Sequence, residues 1–216
     1  MNLKLKPSEY YRGYHEGSES TLNCERGIEV ALGFRYLDIC DNDIIEIGSV
    51  MKNWMPTIDH ITIDQYEEDF GKLSPEKQLR TDAEAYNYIN KNVLSISTLE
   101  HFGRGGYGNI IRDDGKAGRF LAQLICETKS FLITVPVGYN PYLNEYIKTL
   151  CYEGSPLGCC AYIKTEGACP DEHYAIRELK WDYQEIDADN IDFIFNHKYA
   201  NPLRWANALV VLTKGV

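Results

Sequence analysis

Residues 43–64 read DIIEIGSVMKNWMPTIDHITID. The run 43–47 is rich in β-branched residues and is stopped by Gly48, which reads as a buried strand entering a turn. Residues 60–64 repeat the pattern as a second short strand that ends in an acid. Between them, residues 49–59 with Pro56 are expected to form a loop or short helix. A glycine at one strand end lets backbone approach a ligand closely. An acid at the end of the next strand can accept both hydroxyls of a ribose, as in doubly wound α/β sheets. A diphosphate cradle would need G-x-G-x-x-G opening a helix. Only Gly48 is present, followed by Ser49, Val50 and Met51. The pattern therefore leaves open a nucleoside ligand without a diphosphate, of which S-adenosylmethionine is the obvious instance.

Outward from this stretch, strands and helices alternate. Upstream, residues 24–37 place Ile28, Leu32 and Tyr36 four apart, an amphipathic helix. Downstream, residues 81–90 are expected as a short helix capped by Thr81 or Asp82. Strands follow at 92–96 and, ended by Pro136, at 131–136. Helices are expected at 113–128 and, with Pro at an early position, at 141–151. Further short strands are expected at 162–165, 173–179 and 193–195, and a final one at 208–213. Short continuous apolar strands between helices predict an α/β fold with a mainly parallel sheet. Ligands bind such sheets beyond the carboxyl ends of the strands. Polar and glycine residues collect at four of those ends: Gly48-Ser49, Asp64-Gln65, residues 97–101 and residues 136–140.

Composition narrows the function. The 216 residues are 44% hydrophobic and 25% charged, which fits a single globular domain. Residues 1–40 are expected as an N-terminal helical extension and 150–205 as a variable C-terminal insertion. Lys+Arg is 22 against Asp+Glu 32, a net charge of −10, so no nucleic-acid partner is expected. No apolar window is long enough for a membrane span, and the start of the chain shows no apolar signal region. Seven cysteines without such a signal predict a cytoplasmic chain with free thiols. Cys151, Cys159, Cys160 and Cys169, with His173 nearby, lack paired C-x2-C knuckles, so no metal is assigned. The many tyrosines, among them Tyr10, Tyr11 and Tyr14, are read first as packing and second as a lid on a ligand.

Several words of the chain resemble a known family. They are Glu25-Arg26-Gly27-Ile28-Glu29, Glu46-Ile47-Gly48-Ser49-Val50 and Ile63-Asp64-Gln65-Tyr66-Glu67, then residues 95–103 (SISTLEHFG) and 135–141 (VPVGYNP). In order and spacing they resemble class I S-adenosylmethionine-dependent methyltransferases, in the bacterial branch associated with surface-polysaccharide biosynthesis. The resemblance implies a Rossmann-like, doubly wound sheet of methyltransferase type with an antiparallel final strand. It implies S-adenosylmethionine as cofactor and a small-molecule or carbohydrate acceptor, methylated on oxygen. It also implies roles. Glu46 and Gly48 would flank the methionine part, with Ser49 among the cofactor contacts, Asp64 would hold the ribose and Gln65 would sit beside the adenine. Asp82 and Ala83 would meet the adenine amino group, and Ser97, Thr98 and Leu99 would line the cofactor. Glu100 and His101 would face the reacting centre, and Tyr139 and Asn140 would contact the acceptor.

Physically, methyl transfer needs alignment for in-line attack and, for a hydroxyl acceptor, a base. His101 suits that role because imidazole titrates near neutrality. Residues 103–109 (GRGGYGN) do not complete a phosphate loop, since no Lys-Ser/Thr follows, and are expected as a lid. Two other readings stand beside this one. One is a methyltransferase-like binding protein without catalysis. The other is a nucleotide-sugar-dependent glycosyltransferase, for which Asp187-Ala188-Asp189 supplies a D-x-D pattern. The oligomeric state is not readable from the sequence.

Overall fold

The computed structural model describes residues 1–11, 25–40, 43–55, 59–68, 73–104, 112–152, 157–166, 180–197 and 206–216. Through them run α1 (Arg26–Ile39), β1 (Ile44–Ile47), β2 (Ile61–Ile63), β3 (Gln78–Leu79), β4 (Asn92–Ile96), α2 (Lys116–Glu127) and β5 (Ser130–Pro136). These are followed by α3 (Pro141–Tyr152), β6 (Gly158–Glu166), β7 (Lys180–Glu185), α4 (Ile191–Phe195) and β8 (Ala208–Lys214). The strands form one sheet in the order β3-β2-β1-β4-β5-β8-β6-β7. All pairings from β3 to β5 are parallel. The last strand, β8, runs antiparallel between β5 and β6, and β7 is antiparallel to β6 at the edge. Six strands thus share one direction. The chain is an α/β protein with a mainly parallel, Rossmann-like sheet, as the alternation of apolar runs predicts, and its final strand is antiparallel. Among the described residues, no helix is long and apolar enough to cross a membrane.

Helices cover both faces. On one, Ile28, Leu32 and Tyr36 of α1 pack with Leu94, Ile96, Leu132, Leu209 and Val211. On the other, Phe120, Leu121 and Leu124 of α2, Leu143 and Ile147 of α3 and Ile194 of α4 pack with Ile45, Ile47, Val93, Ile133 and Val210. Alternate residues of β4 and β8 thus feed opposite layers, which is why these strands read as unbroken apolar runs. The adjacent Cys159 and Cys160 divide in the same way, one in each layer.

Two expectations fail locally, and one strand was missed. Residues 81–90 form no α-helix: Asp82 caps a single 3-10 turn (Ala83–Ala85) by accepting Glu84 N–H. The chain then bends, with Asn90 at φ 60, and buries Tyr88, whose hydroxyl donates to Ala83 O. Residues 193–195 are helical in α4, because Ile191 and Ile194, three apart, are the buried pair while Phe193 is exposed. The strand β7, with the sequence KWDYQE, was not expected from the sequence. It is an edge strand whose Trp181 is buried among polar neighbours, so it carries no apolar run. The strand expected at 173–179 lies outside the described residues.

Candidate functional site

The chain leaves β1, builds β2 and β3 on one side, and returns to β4 on the other. That reversal opens a crevice beyond the carboxyl ends of β1 and β4. A cleft of about 640 Å³ lies there, within the roughly 300–1,000 Å³ of small-molecule sites. Its walls include Gly48, Ser49, Asp64, Gln65, Asp82, Ala83, Ser97, Thr98 and His101. Nine of the fourteen residues singled out from the sequence thus meet in one cavity.

At the end of β1, Gly48 has φ 83 and donates its N–H to Ile63 O at 2.9 Å. A Cβ there would overlap Thr98 Oγ1 and stand 2.7 Å from Thr98 Cγ2. Glycine is therefore required both by conformation and by the close approach of the loop after β4. Asp64 joins the two loops on the other side. Its Oδ2 accepts Ser49 N–H at 3.2 Å, and its Oδ1 accepts the N–H groups of Tyr66 and Glu67 at 3.0 and 3.1 Å. A carboxylate offers about four acceptor positions, so one remains for a ligand donor. At the third strand end, Asp82 Oδ2 and Glu84 Oε2 hold Lys116 Nζ at 3.3 and 3.1 Å.

After β4, Ser97 is left-handed at φ 41, and its N–H is shared between Thr134 O and Thr134 Oγ1. His101 follows on a 3-10 turn (Leu99–His101), with its ring 4.6 Å from that of Tyr139, which is not itself among the residues lining the cleft. Burial, with a smaller contribution from Arg26, holds the His101 imidazole below its ordinary pKa, so it is neutral at pH 7.

Four other expected residues stand behind the walls. Glu46 is fully buried. Its Oε1 accepts Val50 and Met51 N–H at 2.9 and 2.8 Å, and its Oε2 is 2.7 Å from His60 Nε2. It shapes the loop after Gly48 from below instead of facing a ligand. Leu99 belongs to the apolar core. Asn140 is buried, donates to Glu100 O at 3.1 Å and caps α3 by accepting Leu143 N–H. Glu100 is 2% exposed, with Oε1 3.7 Å from His101 Nε2, and burial drives its pKa well above the carboxylate range.

Two cations without a role expected from the sequence, Arg26 and Lys116, also line the cleft. For Arg26 the signal was present in Glu25-Arg26-Gly27-Ile28-Glu29, where i, i+3 spacing puts Arg26 and Glu29 on one helix face. Tyr11 packs on Phe34 and Trp54, with ring centroids 5.5 Å apart in each case, and Tyr10 joins the same layer. Tyr14 and residues 105–109 of the expected lid lie outside the described residues, while Gly103 lines the cleft. Asp187 Oδ1 accepts the N–H groups of Asp189 and Asn190, so the D-x-D pattern builds the turn before α4 and lies outside this cleft. Comparison with protein-family models, with curated proteins and with solved structures finds no match.

Proposed function

We propose that the chain is an S-adenosylmethionine-dependent methyltransferase acting on a hydroxyl of a small-molecule or carbohydrate acceptor. The observation that carries this reading is the meeting of the ends of β1, β2 and β4 and the turn after β3 at one cleft, with Asp64 bridging two of its loops. The sequence words that resemble methyltransferases supply most of its walls, and an antiparallel final strand is what that resemblance implies. The residues fit a nucleoside carrying a sulfonium. Asp64 offers a remaining acceptor position to a ribose hydroxyl, the glycine loop presents bare backbone, and no diphosphate cradle is needed. When bound, the cofactor supplies an activated methyl group, whose transfer to an acceptor oxygen releases one proton. His101, neutral and on the cleft wall, takes that proton at a ring nitrogen. Burial pushes the neighbouring Glu100 carboxyl toward its neutral form, so it does little to stabilise a charged imidazole before the transfer. The ring of Tyr139, 39% exposed beside His101, offers a face for a sugar.

Calorimetric titration with S-adenosylmethionine and S-adenosylhomocysteine tests the reading. Wild type should bind both, and Asp64→Ala should weaken S-adenosylhomocysteine by about tenfold or more, the worth of one lost charged hydrogen bond. No heat from wild type at high micromolar ligand sinks the cofactor. Equal binding by Asp64→Ala sinks the ribose assignment alone.

A further inference from the structure

The first turn of α1 brings three charged groups to the ends of β4 and β5. Glu29 is fully buried. Its Oε1 accepts the hydroxyl of Ser97 and, at 2.8 Å, that of Thr134, and its Oε2 lies 3.1 Å from Arg26 Nη1. Glu25 and Glu100 stand close by, and the Oε2 atoms of Glu25, Glu29 and Glu100 all lack a hydrogen-bond partner among the described residues. Burial, with Glu29 beside it, pushes the Glu25 carboxyl up to about 7, and Glu100 is raised by the same two causes. One guanidinium therefore serves three carboxyls. Of the three, Glu29 is the one that receives two hydroxyl donors and the guanidinium.

Ser97 needs this support. A left-handed serine costs about 1–2 kcal/mol unless its surroundings fix it. Here its hydroxyl is fixed by Glu29 and its N–H by Thr134. Through the same carboxylate, Arg26 is anchored on the cleft wall with its side chain 29% exposed.

We propose that Glu29 is a positioning residue of the cleft, which holds the turn at Ser97 and fixes the Arg26 guanidinium beside His101. Arg26 adds to burial in disfavouring a charged imidazole and Glu29 offsets part of that, so the pair tunes the charge felt at the residue that the methyl-transfer reading above makes the base. Other groups also face His101. Glu100 does so from its own turn and Tyr139 from the turn before α3. Arg26 faces it from α1 with Glu25 and Glu29 behind, and Lys116 with Asp82 and Glu84 stands in the same cleft.

The test is an NMR titration of the His101 ring in the free full-length protein, its resonance identified by loss in His101→Asn. Glu29→Gln removes the counter-charge and should move His101 further down, because Arg26 is then uncompensated. Arg26→Met should move it up, and Arg26→Lys should leave it near wild type. A merely structural defect would loosen burial and move His101 up in every case. No change or a rise in Glu29→Gln overturns the proposal, as does a rise in Arg26→Lys equal to that in Arg26→Met. If Glu29→Gln fails to fold by circular dichroism, the two Arg26 variants decide alone. In parallel, Glu29→Gln should weaken S-adenosylhomocysteine by about tenfold. The NMR titration needs no ligand, so a wild type that binds no S-adenosylhomocysteine defeats the methyl-transfer reading without touching the charge pair.

Discussion

Buried carboxyls around a single guanidinium make Glu25 a proton store. Its folded pKa, about 7, lies above its ordinary 4.5, so the folded state binds more protons than the unfolded state between those values. The sign follows: the stability it confers is complete below pH 4.5 and is lost as pH rises through 7. Glu100, raised for the same reason, acts in the same direction. Urea denaturation at pH 5, 6, 7 and 8 should therefore show falling stability in wild type. Glu25→Gln, which is neutral throughout, should flatten that slope and be more stable than wild type at pH 8 by about 1–3 kcal/mol. An unchanged slope would show that Glu25 does not hold the proton. At this scale the sequence was legible where a side chain serves the ligand side directly. Gly48, Asp64, Ser97 and His101 sit at strand ends and line the cleft. It was not legible where a polar residue serves the loop from below. Glu46 and Glu100 look like pocket acids in a motif, and only packing reveals that Glu46 is used up by backbone N–H groups. The pairing of Arg26 with Glu29 was visible as spacing, but its role depends on where β4 ends.

The contact between the β1 and β4 loops ties two elements into one cleft. Gly48→Ala places a Cβ at φ 83 and against Thr98, so it should cost about 2–4 kcal/mol, strain and overlap together. Combining it with Thr98→Ala removes Oγ1 and Cγ2, the nearest obstacles, and should recover about 1 kcal/mol of that loss, with the left-handed strain remaining. A double-mutant cycle in urea reads the coupling, and strict additivity would mean that the loops do not touch. The elements themselves were legible wherever burial is two-sided. In β4 and β5 every residue is buried, and both were read from their apolar runs. One-sided or very short elements escaped. The two residues of β3 carry no pattern, and β7 is polar at most positions. Asp82 offered a helix start that Asn87 and Asn90 then cut short, with Asn87 Oδ1 accepting Ile89 N–H in a turn.

On the scale of the whole molecule, the last strand in sequence is an inner strand of the sheet. Strand β8 pairs with β5 over Phe131–Pro136 on one side and with β6 over Gly158–Ile163 on the other. Its Lys214 then donates to the carbonyls of Ile125 and Thr128 at 2.7 and 2.6 Å, closing the end of α2. Folding thus waits on a segment some 70 residues beyond its neighbour β5, a long-range closure that slows folding. The cleft, by contrast, is lined from the other half of the sheet, at the ends of β1, β2 and β4. Stability and ligand binding should therefore separate. Leu212 is fully buried and stands opposite Ile133 and Cys159, in the layer under α2 and α3. Leu212→Ala should cost about 2–5 kcal/mol by urea denaturation, as cavity-forming changes in tight cores do. Its folded fraction should still bind S-adenosylhomocysteine with the wild-type Kd, because no wall of the cleft comes from β8. A stability loss near zero would place β8 at a loose edge. A matched loss of affinity would mean that the two halves of the sheet act as one mechanical unit, and the cleft would then have to be reached through β5, whose Thr134 touches both Ser97 and Glu29.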